Sequence, residues 1–200
     1  MKTIKTSTGR GLHGKEPTGI AMKKVVMDVE GIERSLSRIA YEIIERNKGT
    51  DNLIIIGIRK GGVSLAERLC KKISDIEKTE VMFGTLDITL YRDDVLTTGK
   101  RPEIENTYIP FPLDQKRVVI VDDVLFTGRT IRAAMDALMD FGRPKQIQLA
   151  VLIDRGHREL PIRADFIGET LPSSLWENIS VNLVADNPDL SGDEVVIEVG

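Results

Sequence analysis

The chain has 200 residues, 41% hydrophobic and 30% charged, a globular composition with enough apolar mass for one compact domain. Its 28 Lys and Arg against 31 Asp and Glu leave a net charge of −3, which argues against a polycation that coats nucleic acid indiscriminately. One Cys and two His exclude a disulfide framework, a thiolate zinc cluster and a His-rich metal site; with no bilayer-length apolar run and no apolar signal core, a soluble cytoplasmic protein is expected.

Residues 1–22 read as a disordered tail ahead of a domain over 23–200. The first 24 residues hold six basic side chains against Glu16, are rich in Gly, Thr and Ser, and have little to pack. Residues 185–200 are the opposite, with five acids and no Lys or Arg. The spacing predicts a helix over Val29–Asn47: Ile32, Leu36, Ile39, Ala40, Ile43 and Ile44 share one face, Asp28 caps the start, and Asn47-Lys48-Gly49 suits the end. Leu53–Ile58 is an unbroken apolar run, a strand buried on both faces. Gly57, Gly61 and Gly62 mark a turn into a helix over Val63–Ser74, where Cys70 reads as a small buried residue. Val81–Tyr91 reads as a strand, and Arg92–Arg101 as a polar turn region. Arg117–Asp122 is the next buried strand. Gly128 separates it from a helix over Thr130–Phe141, with Ile131, Ala134, Met135, Leu138 and Met139 as its apolar face. Gln146–Ile153 follows as a strand, with shorter ones around Asp165–Gly168, Ser180–Val184 and Val195–Glu198; Trp176 is expected to pack. Alternation at this spacing suits parallel βαβ units.

The chemistry is concentrated between Val118 and Thr130. Four β-branched residues, Val118 to Val121, lead to Asp122-Asp123, then to a short loop with Thr127, Gly128, Arg129 and Thr130, then to a helix. In open α/β sheets ligands sit beyond the carboxyl ends of strands, and a helix N-terminus offers N–H groups and a positive dipole end to an anion. Gly128 permits close backbone approach, and the Thr hydroxyls add donors. The arrangement suits a phosphate monoester, with the carboxylates facing sugar hydroxyls or a hydrated metal ion. Neither a Gly-x-x-x-x-Gly-Lys-Ser/Thr loop nor a Gly-x-Gly-x-x-Gly fingerprint is present.

This pattern resembles the phosphoribosyl-pyrophosphate signature of type I phosphoribosyltransferases. Three further segments, Asp87 to Asp94, Gly142-Arg143-Pro144 and Val151 to Asp165 with its Asp-Arg-Gly-His-Arg-Glu-Leu-Pro-Ile-Arg run, look like one branch of them, the PyrR family of bifunctional pyrimidine operon regulators and uracil phosphoribosyltransferases. The resemblance runs from Lys24 to Ile197. It implies an α/β type I phosphoribosyltransferase fold: a central, mostly parallel sheet flanked by helices, with a small hood formed partly by the C-terminal segment. The implied reaction makes UMP and diphosphate from uracil and 5-phosphoribosyl 1-diphosphate. Mg2+ is then bridged by the substrate near Asp122 and Asp123 and not ligated directly by a protein cluster.

By the same resemblance, Asp122 and Asp123 form the catalytic pair at the ribose, with Asp123 also open as a general base. Val124, Leu125, Phe126, Thr127, Gly128, Arg129 and Thr130 hold the 5′-phosphate. Arg59, Lys60 and Gly61 form the pyrophosphate loop, where many members carry Thr-Arg in place of Lys60-Gly61. Tyr91 and Arg92 belong to a lid, and Arg155 and the backbone near Ile179 to the base pocket. His157 reads as a surface or supporting group. The family also implies uridine-nucleotide-dependent attenuation through leader mRNA of the pyrimidine operon, and a homo-oligomer, dimer or higher. Arg34, Arg38 and Tyr41 lie on the first helix away from its apolar stripe and, with Arg158 and Arg163, are the RNA candidates; Glu33, Glu42 and Glu45 share that helix. Two alternatives stay open: a regulator with little catalysis, and a phosphoribosyltransferase for another base.

Overall fold

The computed structural model describes residues 22–92 and 107–199. Residues 1–21 of the expected tail, and nearly all of the polar segment after Arg92, lie outside the described residues. In chain order the elements are β1 (Met22–Met27), α1 (Val29–Asn47), β2 (Leu53–Ile58), α2 (Gly61–Glu77), β3 (Met82–Leu86), a 3-10 turn (Thr89–Tyr91), β4 (Arg117–Leu125), α3 (Arg129–Met139), β5 (Gln146–Asp154), β6 (Phe166–Thr170), β7 (Glu177–Asn182) and β8 (Glu194–Val199). Five strands form a parallel sheet in the order β3-β2-β4-β5-β6, and three form an antiparallel sheet in the order β1-β8-β7.

The period-two alternation of the central strands divides the core. Leu53 and Ile55 of β2, Val119 and Val121 of β4, and Ala150 and Leu152 of β5 pack with α1 and α2. Their neighbours Ile54, Ile56, Ile58, Val118, Ile120 and Val151 pack on the other face, against Ile131, Ala134 and Leu138 of α3. This is why β2 is buried at every position.

Helix α1 has the limits its spacing predicts. Asp28 Oδ1 accepts the Gly31 N–H at 2.8 Å, and the chain leaves through Lys48 and Gly49, both at positive φ. Its buried end is pinned to β5 by the Asn47 side-chain amide, which donates to Gln148 Oε1 at 2.8 Å and to the Ile43 carbonyl at 2.9 Å.

Several boundaries differ from the sequence expectation. β3 stops at Leu86 because Asp87 Oδ1 accepts the Thr89 N–H at 2.8 Å, turning the chain before the 3-10 turn. β4 continues to Leu125, since its pairing with β5 extends through Val124 and Leu125; the acid pair therefore lies within the strand. α2 starts at Gly61 and runs to Glu77. The buried face of α3 uses Ala133 and Ala137 beside Ile131, Ala134 and Leu138, whereas Met139 is exposed. Trp176, expected to pack, is 84% exposed.

The second sheet joins the two ends of the described chain. Met22–Met27, which overlaps the basic opening stretch, pairs antiparallel with the acidic end, and Lys23 Nζ meets Glu194 Oε1 at 2.6 Å. The hood is thus built from both ends of the domain and not from the C-terminal segment alone. Cys70 is buried, and burial pushes its thiol up to about 12, so it stays protonated and inert.

Ile55 is fully buried between α1, α2 and the sheet. Ile55→Ala should cost about 2–5 kcal/mol, read as a lower midpoint in urea unfolding; an unchanged midpoint would contradict the packing described.

Candidate functional site

All five central strands are parallel, so the turns that follow their carboxyl ends gather along one edge of the sheet. β4 carries the acid pair to that edge. The Asp122 side chain is buried, and its Oδ1 accepts the Asp123 N–H at 3.1 Å. Asp123 is partly buried, and its Oδ1 accepts the Val124 N–H at 2.7 Å. Burial first, and then the neighbouring Asp123 carboxylate, hold Asp122 well above the usual carboxylate range, with Arg92 pulling the other way. Burial also raises Asp123. The Val124 N–H and Asp122 counter that shift, and Asp186 of the hood adds to it. Two carboxyls that both resist ionisation make a site that gains from a nearby cation.

β2 delivers the second part. Its exit turns through Arg59 and Lys60, joined by a cis peptide bond, into Gly61 and Gly62 at the start of α2. A Cβ on Gly61 would overlap the Asp123 carboxylate, and one on Gly62 would overlap the Val121 carbonyl oxygen. Only glycines let this turn lie on the acid pair. The Arg59 N–H donates to the Leu86 carbonyl at 3.0 Å, which ties the turn to β3 as well. Ser64, in the first turn of α2, donates its hydroxyl to Asp186, so the hood reaches the same place.

The third part follows the acid pair directly. Phe126, Thr127 and Gly128 lead from β4 into α3, with Gly128 at φ 92° as the residue before the helix. The loop is braced from behind. The Thr127 carbonyl accepts the Glu159 and Leu160 N–H groups at 3.0 and 3.2 Å, and Arg129 pairs with Glu159 at 2.7 Å. Arg158 donates to the carbonyls of Leu125, Phe126, Gly156 and Ile162 and pairs with Asp154. The first turn of α3 begins directly after this braced loop, with the Arg129 N–H 3.4 Å from Thr127 Oγ1, and a helix start of this kind offers amides to an anion.

Arg155 is buried and does not pair with Asp154, which holds Arg158 instead. Its guanidinium lies 4.2 Å from the centroid of the Phe126 ring. It donates to Ser173 Oγ at 3.1 Å and to the carbonyls of Ser174 and Glu177 at 3.0 and 2.7 Å. His157 sets its ring edge-on to Phe126, with Nε2 against the Ser173 carbonyl. Ile179 of β7 is buried in the core cluster that holds Val121, with Val124 packed against it.

The residues singled out in the sequence therefore divide. Asp122, Asp123, Gly61 and the Val124–Thr130 segment come together, and Arg92 is close enough to act on Asp122. Tyr91 does not join them, because its hydroxyl donates to Asp140 just past the far end of α3. Arg158, an RNA candidate, is turned inward by its carbonyl and carboxylate partners and acts as the brace of the loop between β4 and α3. Arg38 also bonds inward, to the Ile167 carbonyl at 3.1 Å and to that of Gly168, and pairs with Glu42. Arg34 and Tyr41 on α1 and Arg163 after the brace are exposed. Arg34 and Arg38 line a groove of about 710 Å³ between β1, the start of α1 and Glu169-Leu171, away from the acid pair. Asp186 and Ser64 escaped the sequence reading; the one signal was the acidic run after residue 185, which does not say which acid turns toward the sheet.

Residues 25–186 match the family described as phosphoribosyl transferase domain. A protein named bifunctional protein PyrR from Pelotomaculum thermopropionicum is 58% identical over 175 residues, which is 88% of this chain and 94% of that protein. One of the same name from Geobacter sulfurreducens is 59% identical over 163 residues, 82% of this chain and 92% of that one. Among solved structures, the hypoxanthine phosphoribosyltransferase of Trypanosoma cruzi superposes with a TM-score of 0.66 at 20% identity, over 88% of this chain and 97% of that one. A hypoxanthine phosphoribosyltransferase from Staphylococcus aureus gives 0.59 at 22% identity, over 76% and 80%. At those identities the two structures show the shared fold. The fold, the glycine turn laid on an acid pair, and these matches agree: the chain belongs to the phosphoribosyltransferase family and, within it, to the bifunctional PyrR proteins.

Proposed function

We propose that this phosphoribosyltransferase joins uracil to 5-phosphoribosyl 1-diphosphate, giving UMP and diphosphate, with Asp122, Asp123, the Gly61 turn and the loop into α3 as its active site. The observation that carries this reading is the contact of Gly61 with the Asp123 carboxylate. It sets the glycine turn after β2 against two carboxylates, one loop away from the start of α3.

Each part has a role in the displacement. The first-turn amides of α3, with the hydroxyls of Thr127 and Thr130, hold the 5′-phosphate. Asp122 and Asp123 face the ribose, where positive charge develops as the bond to diphosphate lengthens, and fixed negative charge there lowers the barrier. Arg59 and Lys60 stand on the side of the leaving diphosphate, and Arg92 adds positive charge near Asp122. The uracil N1 forms the new bond to the ribose carbon and gives up its proton, for which Asp123 is the acceptor at hand, as the diphosphate oxygen leaves with the electron pair of the old bond. The acid pair suits Mg2+: hard oxygen donors, crowded together, whose ionisation a cation favours. Asp122 and Asp123 would stand beside a Mg2+ ion carried by the substrate, as hard oxygen neighbours. When bound, Mg2+ neutralises charge on the diphosphate.

The second activity, binding of pyrimidine operon leader mRNA under uridine nucleotide control, is favoured by a separate observation. On α1, Tyr41 is 60% exposed and available for stacking, with Arg34 exposed one helical face away from the core. The inward bonds of Arg38 make it a support for this surface, Arg158 braces the loop into α3 instead, and Arg34, Tyr41 and Arg163 are left as the contacts.

Three outcomes are expected. UMP formation from uracil and 5-phosphoribosyl 1-diphosphate depends on Mg2+, and Asp123→Asn lowers kcat by about 10²–10³; an unchanged kcat would remove Asp123 from this role. The folded pKa of Asp122 is raised, so the stability it contributes is present below the unfolded value of about 4 and is lost as pH rises through the folded value. Asp122→Asn should therefore raise the urea midpoint of the unliganded protein near pH 8 more than near pH 5, while turnover falls. A change that is equal at both pH values would show that Asp122 is not the titrating group. Tyr41→Ala should weaken leader-RNA binding, measured by filter retention at fixed salt, and leave UMP formation unchanged; loss of both would point to a structural defect.

A further inference from the structure

Leu175 and Trp176 are adjacent large apolar residues, 66% and 84% exposed, and Trp176 is the most exposed large hydrophobic among the described residues. The turn that carries them is firmly held. The Glu177 N–H donates to the Ser174 carbonyl at 3.3 Å, and Glu177 Oε2 accepts the Ser174 N–H at 2.6 Å. Arg155 grips both sides of the tip through the carbonyls of Ser174 and Glu177, and its guanidinium lies against Phe126 of the phosphate loop. A buried arginine that also packs on Phe126 thus holds the turn that carries an exposed indole.

The strand order says on which side of the acid pair that turn lies. β2 and β5 flank β4 on opposite sides. The Gly61 turn, on the side of the leaving diphosphate, follows β2; Arg155 and the tip it holds are on the side of β5. An in-line displacement at the ribose carbon brings the incoming base from the face opposite the leaving group. With the ribose over Asp122 and Asp123 and the 5′-phosphate at Gly128, the base would then enter from the side of β5, where Arg155 holds the turn into β7 that carries Trp176. We propose that Trp176 stacks on the pyrimidine ring, with Leu175 closing its edge, and that this tip sets the affinity for the base. The proposal rests on the uracil phosphoribosyltransferase reading above.

Trp176 is the only Trp in the chain, so its fluorescence reports one position. UMP should quench the emission of the full-length protein, whereas ribose 5-phosphate, which lacks the base, should not. Trp176→Ala should raise KM for uracil about tenfold, the size of one base–aromatic stack, with KM for 5-phosphoribosyl 1-diphosphate unchanged; Trp176→Phe should restore most of the loss. Suppose calorimetry shows UMP bound, while the emission responds no differently to UMP than to ribose 5-phosphate and the uracil KM of Trp176→Ala is unchanged. The stacking proposal is then overturned and the enzyme reading stands. If Trp176→Ala instead lowers the oligomeric state at an unchanged uracil KM, the tip is a subunit contact and the proposal also fails. Absence of both UMP binding and turnover in folded wild-type protein overturns the proposal together with the reading beneath it.

Discussion

The site depends on one close approach. The turn after β2 lies directly on the end of β4, so close that a methyl group on Gly61 or Gly62 would overlap the Asp123 carboxylate or the Val121 carbonyl. Parallel pairing of β2 with β4, Ile54 opposite Val118 through Gly57 opposite Val121, sets the height of the two exits, and the glycines remove the side chains that would hold them apart. Everything chemical follows from that contact. It brings a cationic turn to an acid pair, and it places the start of α2 where Ser64 can bind the hood.

The burial that positions the acids also raises the cost of their charge. Asp122 is enclosed by the strands on either side, and its pKa rises because water is excluded and Asp123 is adjacent. Such a pair destabilises the empty protein when ionised and has value only when opposite charge arrives. Arg92 supplies some of that charge from the protein, and under the proposed function the substrate's cation would supply the remainder. Stability is thus exchanged for a site prepared for a polyanionic, cation-bearing substrate.

The hood is bound to this centre by charge as well as by packing. Arg68 of α2 pairs with Asp193 of the hood and with Glu33 of α1, and Lys72 pairs with Glu33 at 2.7 Å and with Ser37 at 3.1 Å. One polar cluster therefore joins the helix that begins at the Gly61 turn, the hood that contributes Asp186, and the helix that carries Tyr41. Arg158 and Arg155 do the equivalent on the other side, one beneath the phosphate loop and one beneath the turn into β7.

Local chemistry made much of this legible in the sequence. The limits of α1 follow from Asp28 and the Lys48-Gly49 exit. The double burial of β2 follows from an unbroken apolar run, and the strand–loop–helix exit after the acid pair from Gly128 between a β-branched strand and an amphipathic helix. Those features are decided within a few residues of where they occur. What depended on distant partners was decided by the tertiary structure. β4 passes through its acid pair because β5 continues to pair with it, and the basic start becomes a strand because the acidic end lies beside it. Arg158 and Arg38 turn inward because carbonyls 32 and 129 residues away, those of Phe126 and Ile167, need donors. Asp186 reaches the site only because the hood folds over β4. The sequence determined which side chains could do the chemistry; packing of separated segments determined which of them meet.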